Sequence, residues 1–124
     1  MAHRITITAG KVKMSATLND TPTAEAIWRA LPLEANANRW GDEIYFEIPV
    51  QLAESEDARQ DMAVGELGYW PVGAGFCIFF GPTPVSPGDQ PRAYSKVNPF
   101  GKVDSDARLL RSIKDGETVR VERD

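Results

Sequence analysis

Glu43, Glu47 and Glu66 are carboxylates that could act as a proton-transfer pair or hold a hard cation. Two of them alternate with Ile44, Phe46 and Ile48 on one short segment, so the wet face of a strand is the simpler reading. No metal site and no cofactor are expected. Cys77 is the only cysteine and His3 the only histidine. Cys77 sits inside an apolar run with no base or helix start nearby to lower its thiol pKa, which suits an inert core residue better than a nucleophile. A histidine-based triad would have to recruit the chain's first residues, so His3 reads as solvated. Gly73-Ala74-Gly75 lacks the lysine and following helix of a phosphate-cradling loop. Pro84-Val85-Ser86-Pro87 fits the PxxP pattern of peptide ligands, but stiffness of a loop explains it equally.

The stretch GELGYWPVGAGFCIFFGPTP, residues 65–84, gathers rings beside glycines and prolines. Phe76 to Phe80 reads as a strand covered on both faces. Tyr69, Trp70 and the prolines need another explanation. Trp40, Phe46, Tyr69, Trp70, Phe76 and Phe80 form a candidate aromatic-lined cleft. The proline-rich segment from Pro82 to Pro91 is expected to wall the same depression as Trp70. The alternative is that these rings simply close a core, as large apolar surfaces do.

The elements that must position them follow from patterning. Ile5 and Ile7 alternate with polar residues, Ala9-Gly10 turns the chain, and Val12, Met14, Ala16 and Leu18 alternate again, predicting an antiparallel pair. Thr21 and Pro22 open a helix with Ala24, Ile27, Trp28 and Leu31 on one stripe, and Pro32 ends it. Glu43 to Ile48 is a third strand. Gln51 to Asp61 reads as a charged, solvated loop. Pro82 to Pro91 stays out of any ladder for lack of amide donors. Val97 to Val103 is strand-like, Ser105 caps a short helix with Leu109, Leu110 and Ile113, and Val119 and Val121 mark a last strand.

With 124 residues, 42% hydrophobic and 26% charged, the chain is sized for one domain spanning residues 1–124. Eighteen acidic against 14 basic side chains give a net charge of −4 without a basic block, which argues against a nucleic-acid partner. No apolar leader opens the sequence and no segment is long enough to cross a bilayer. A soluble, cytoplasmic protein with no membrane partner is the expectation.

The succession GDEIYFEIPV, GELGYWPVGAGFCIFFGPTP and VNPFGKV resembles the prokaryotic family of small cyclophilin-like proteins of uncharacterised function over nearly the whole chain. Similarity to the cyclophilins proper, which are peptidyl-prolyl isomerases, rests on shorter pieces. Ile48-Pro49 is similar to the end of their third strand, Leu67 with Gly73, Phe79 and Phe80 to their LSMANAG and QFFI segments, and Phe100 to Val103 to their FGKV. The resemblance implies a mainly β fold, a closed eight-stranded antiparallel β-barrel with two short capping helices.

It implies less about activity. The arginine that cyclophilins place three residues before that proline is Phe46 here, their substrate-binding glutamine falls on Ile78, and their histidine falls on Lys96 or Val97. Phe80 matches a retained pocket phenylalanine, and Trp70 stands where a small alanine would leave room for a substrate proline. Arg39 or Arg92 could take the missing arginine's place only from elsewhere in the fold. Two function classes follow: a module binding a small molecule or an extended, proline-containing peptide in the aromatic cleft, or a weak, atypical prolyl isomerase. Binding is favoured because a fold without its site residues does not confer their activity. The oligomeric state is not legible.

Overall fold

The computed structural model describes residues 3–124. Its ten strands are β1 (Arg4–Ala9), β2 (Val12–Leu18), β3 (Leu33–Asn36), β4 (Asn38–Arg39), β5 (Glu43–Glu47), β6 (Arg59–Asp61), β7 (Glu66–Trp70), β8 (Gly75–Phe79), β9 (Arg92–Val103) and β10 (Thr118–Arg123). They pair antiparallel in the order β3-β10-β1-β2-β9-β7-β8-β5-β4, with β6 set beside β9. The architecture is the mainly β, cyclophilin-like one expected, with a difference in closure. Among the described residues no ladder joins the two ends of the sheet; its end strands β3 and β4 are instead consecutive in the chain with only Ala37 between them. The backbone itself links the two edges, with the Ala37 amide held by the Glu117 carbonyl at 2.7 Å.

Two helical segments pack against this sheet. Helix α1 (Pro22–Ala30) begins as its sequence dictates, with the Thr21 hydroxyl accepting from the Ala24 amide at 3.2 Å and proline at the first position. Ala24 and Ile27 are buried, and the chain leaves the helix at Leu31. The second segment is a 3-10 helix, Ala107–Ser112, capped by Asp106 rather than by Ser105. The Asp106 carboxylate accepts from the Arg108 amide at 3.0 Å, the shorter i to i+2 reach that a tight 3-10 turn offers.

Period-two alternation decides which face is core. Ile5 and Ile7 from β1, Met14, Ala16 and Leu18 from β2, Ile44 and Phe46 from β5, and Phe76, Ile78 and Phe80 at β8 all point into one continuous interior. Val12 is only partly buried. Beyond the sheet's outer face lies a second, smaller cluster of Met62, Cys77, Phe79, Ala93 and Val97, against which Tyr45 and Trp70 pack. Strand β8 is therefore buried along its whole length and on both faces, as its uninterrupted apolar run predicts.

Strand β9 builds that outer layer. Its first half pairs with β6 and its second half with β7 and β2, so the strand starts five residues earlier than the Val97–Val103 segment legible from sequence. Gly68 lets it lie close: a Cβ there would stand 2.6 Å from Val97 Cγ2. The charged segment after β5 is held rather than free. Buried Asn98 accepts from the Ser55 amide at 2.8 Å and donates to the Ala53 carbonyl at 3.0 Å, and Arg59 to Asp61 of that segment form β6.

Candidate functional site

A pocket of about 230 Å³ opens on the outer face of the sheet, between strands β4, β5, β7 and β8 and the first half of β9. Alternation brings Glu43 and Tyr45 of β5 to this face, and the β5–β8 register sets Cys77 opposite Tyr45. Trp40 enters from the turn between β4 and β5, where Gly41 adopts φ +59° and passes so close to Thr83 and Pro84 that a side chain would collide with them. Trp70 ends β7, and β9 supplies Ala93, Tyr94 and Val97.

The rings are arranged edge to face around the opening. Trp40 and Tyr94 lie 6.0 Å apart, Trp70 and Tyr94 6.2 Å, and Tyr45 and Trp70 6.3 Å, with interplanar angles of 73°, 85° and 75°. In each such contact the edge of one ring meets the face of its neighbour. The Trp70 indole is fixed by donating from Nε1 to the Ser95 hydroxyl at 2.6 Å. Tyr94 remains 67% exposed at the rim.

Glu43 is the one charged residue type in this lining, and it is only 5% exposed. Its Oε1 is buried without a hydrogen bond among the described residues. Burial raises the carboxyl pKa from 4.5 to about 8, against the smaller opposing effect of a hydrogen bond between the carboxyl group and the Cys77 thiol. At neutral pH the acid is therefore largely protonated. The same burial, reinforced by the nearby Glu43, pushes the Cys77 thiol well above its ordinary range, so Cys77 is no nucleophile.

These positions correct several readings made from sequence. Glu43 is not on a wet face with Glu47; the outer layer covers it while Glu47 stays exposed. Glu66 pairs with Arg59 at 2.6 Å. Among the described residues no group of three or more acidic, histidine or cysteine side chains could hold a metal ion. His3 is not simply solvated but stacks on Trp28 at 4.0 Å, away from the pocket. Of the six candidate cleft residues, Trp40 and Trp70 line the pocket, whereas Phe46, Tyr69, Phe76 and Phe80 are buried in the interior on the other side of the sheet. The Tyr69 hydroxyl is fully used, donating to the Val50 carbonyl at 2.6 Å and accepting from the Leu52 amide at 3.1 Å. The proline-rich segment does not line the pocket; it braces the Gly41 turn, where the Pro82 carbonyl accepts from the Asp42 amide at 2.9 Å.

The sequence matches the family described as cyclophilin-like over residues 3–122. The chain belongs to the cyclophilin-like family. It is similar to the solution structure of the hypothetical protein AF2241 from Archaeoglobus fulgidus, with 36% identity and a TM-score of 0.82 over 98% of this chain and 95% of that one. It is also similar in fold to McbB, solved in complex with tryptophan, with 20% identity and a TM-score of 0.76. That likeness covers 96% of this chain and 44% of McbB. No curated protein matches. No helix among the described residues is long and apolar enough to cross a membrane.

Within this cyclophilin-like chain, the positions that match isomerase groups lie apart from the pocket or lack their chemistry. Phe46 and Ile78 are interior, Lys96 is exposed, and Val97 is an apolar wall. Arg39 is occupied: its guanidinium donates to the Arg111 and Ile113 carbonyls at 3.0 and 2.7 Å and to Asp42 at 3.1 Å. Arg92 faces Asp61 at 3.6 Å and Gln60 at 3.4 Å.

Proposed function

We propose that the protein binds a small molecule in the outer-face pocket, with Trp40, Tyr45, Trp70 and Tyr94 as its walls and Glu43 as its polar anchor. The observation that carries this reading is the unpartnered Oε1 of Glu43 in an otherwise apolar, ring-lined cavity. Buried polar atoms in folded proteins are nearly always satisfied, and leaving one bare costs on the order of 1–3 kcal/mol. A ligand that donates a hydrogen bond there recovers that energy. McbB, 44% of which shares this fold, was solved in complex with tryptophan, which is consistent with a flat, ring-bearing ligand.

Titration with small aromatic compounds should quench or shift tryptophan fluorescence. Trp70→Phe and Trp40→Phe should each reduce the response, while Trp28→Phe leaves it intact. Replacing Trp70 with alanine should weaken binding about tenfold or more, because one well-packed aromatic wall contributes over 1 kcal/mol. A broad library that never perturbs Trp40 or Trp70 would sink the reading.

The isomerase alternative lacks its chemistry. Prolyl rotation is accelerated by a donor fixed beside the amide nitrogen as it loses resonance, and Phe46, Ile78 and Val97 cannot donate. Phe80 is buried beneath the sheet and offers no surface to a substrate proline. A coupled-protease assay on Xaa-Pro peptides is expected to show at most a slight excess over the uncatalysed rate. Turnover like that of an ordinary cyclophilin would overturn this.

A further inference from the structure

We infer that the ligand is a protonated organic amine carried on a flat apolar skeleton, its N–H meeting Glu43 and its skeleton lying among Trp40, Trp70 and Tyr94. The inference rests on the reading of the pocket as a small-molecule site and names the chemical class that fits it.

Three features select an amine. The pocket's only charge-bearing group besides tyrosine hydroxyls and a thiol is one carboxyl, and no lysine, arginine or histidine lines it. A cation brought by the ligand is thus the missing partner, and a charge-assisted hydrogen bond to the carboxylate is roughly twice as strong as a neutral one. Second, the pocket walls are the faces and edges of Trp40, Tyr45, Trp70 and Tyr94, which pack edge to face with one another. Such faces attract ammonium groups and, where Trp is present, do so best. Third, a ligand carboxylate would find no cation and would face Glu43. An aromatic amine without an acid group is therefore preferred to an amino acid.

Binding must also move a proton. The titratable groups that line the pocket with Glu43 are the Cys77 thiol from β8, Tyr45 from its own strand and Tyr94 from β9, and none carries positive charge that would ionise the acid. The cation does so on arrival. Below about pH 8 the carboxyl holds a proton, and an entering ammonium displaces it to solvent, leaving an ammonium–carboxylate pair. Affinity for the cation should rise about tenfold per pH unit from pH 6 to near pH 8, then level off until the amine itself deprotonates near pH 10.

Tryptamine, its neutral counterpart tryptophol, and tryptophan separate the possibilities in calorimetric titrations of the intact protein. Tryptamine is expected to bind at least about tenfold more tightly than tryptophol at pH 8, and tryptophan more weakly than tryptamine. At pH 6.5, titrations in buffers of differing ionisation enthalpy should register release of close to one proton with tryptamine and none with tryptophol. Glu43→Gln should erase both the preference and the proton release while tryptophol still binds, which shows that the variant keeps its pocket. Equal affinity for tryptamine and tryptophol, or a preference that survives Glu43→Gln, overturns the amine assignment and leaves the small-molecule site standing. Absence of any heat or fluorescence change with all three compounds overturns the amine assignment. Extending that silence to the wider neutral library removes the site as well.

Discussion

Replacing Glu43 with glutamine is expected to raise stability at pH 9 by up to about 5 kcal/mol and at pH 5 by under about 1 kcal/mol. In the unfolded chain the carboxyl ionises in its ordinary range, near 4.5, but in the fold only near 8. Between those values the native state holds one proton more than the unfolded state, so stability falls as pH rises. The slope attributable to Glu43 is about 1.4 kcal/mol per pH unit, and the loss is complete above about pH 8. Glutamine matches the protonated acid in size and keeps a carbonyl oxygen, but it cannot ionise. Glu66 works in the opposite sense. Its burial raises its pKa, but the hydrogen bond from Arg59, with help from the Ala63 amide, more than reverses this, so the stability it contributes is lost in acid. The difference between wild type and Glu43→Gln cancels that contribution. Urea midpoints at pH 5, 7 and 9 for both proteins give the measurement. Parallel curves would mean that Glu43 is hydrated and ionised in the fold, which would also remove the anchor of the proposed site.

Much of the barrel was legible because its strands obey period two. Ile5 and Ile7, then Met14, Ala16 and Leu18, then Ile44 and Phe46, each announce a buried face, and Thr21-Pro22 announces the helix start. Four strands were not legible for physical reasons, the shortest being β6, three residues inside a charged segment that only its pairing with β9 makes a strand. β3 and β4 together cover residues 33–39, too short and too polar to alternate visibly, and they are fixed by pairing with β10 and β5 rather than by propensity. β7 contains Gly68, a residue that weakens a strand reading yet is needed for the close approach of Val97.

The candidate pocket was half legible. Trp40 and Trp70 were found because ring clusters beside glycines draw attention; Phe46, Tyr69, Phe76 and Phe80 were drawn in with them although alternation sends them to the opposite face. Glu43 was weighed and set aside because alternating glutamates normally mark a wet face. A clue was present nonetheless. If Phe76 to Phe80 is covered on both faces, the outer face of its neighbour β5 must be covered too, and that is the face carrying Glu43 and Tyr45. The covering layer itself, the first half of β9, carries Ala93, Tyr94 and Val97 as apolar markers among polar residues, too weak a pattern to reveal it.

Phe80→Ala is expected to lower stability by about 3–5 kcal/mol, because it removes a fully buried ring from a continuous interior and leaves a cavity that the barrel cannot collapse to fill. The ring has a second role that an aliphatic replacement would not restore. The Arg39 guanidinium sits 5.0 Å above its centroid while donating to the Arg111 and Ile113 carbonyls, so Phe80 seats the cation that ties the 3-10 helix to the β4–β5 turn. A cation over a ring at a partly buried site adds about 0.5–2 kcal/mol. Phe80→Leu should therefore retain most of the apolar burial and still lose more stability than the change in side-chain volume alone predicts. Against a total of about 5–15 kcal/mol for a domain of this kind, the alanine variant should unfold at a markedly lower urea concentration. Trp70→Phe, at the half-buried wall of the pocket, should by contrast lose about 1 kcal/mol, roughly the worth of its hydrogen bond to Ser95. That contrast is what separates interior from pocket. A Phe80→Ala variant destabilised no more than Trp70→Phe would mean that the Phe80 ring is in contact with solvent, and the cleft read from the sequence would then extend through the sheet to both of its faces.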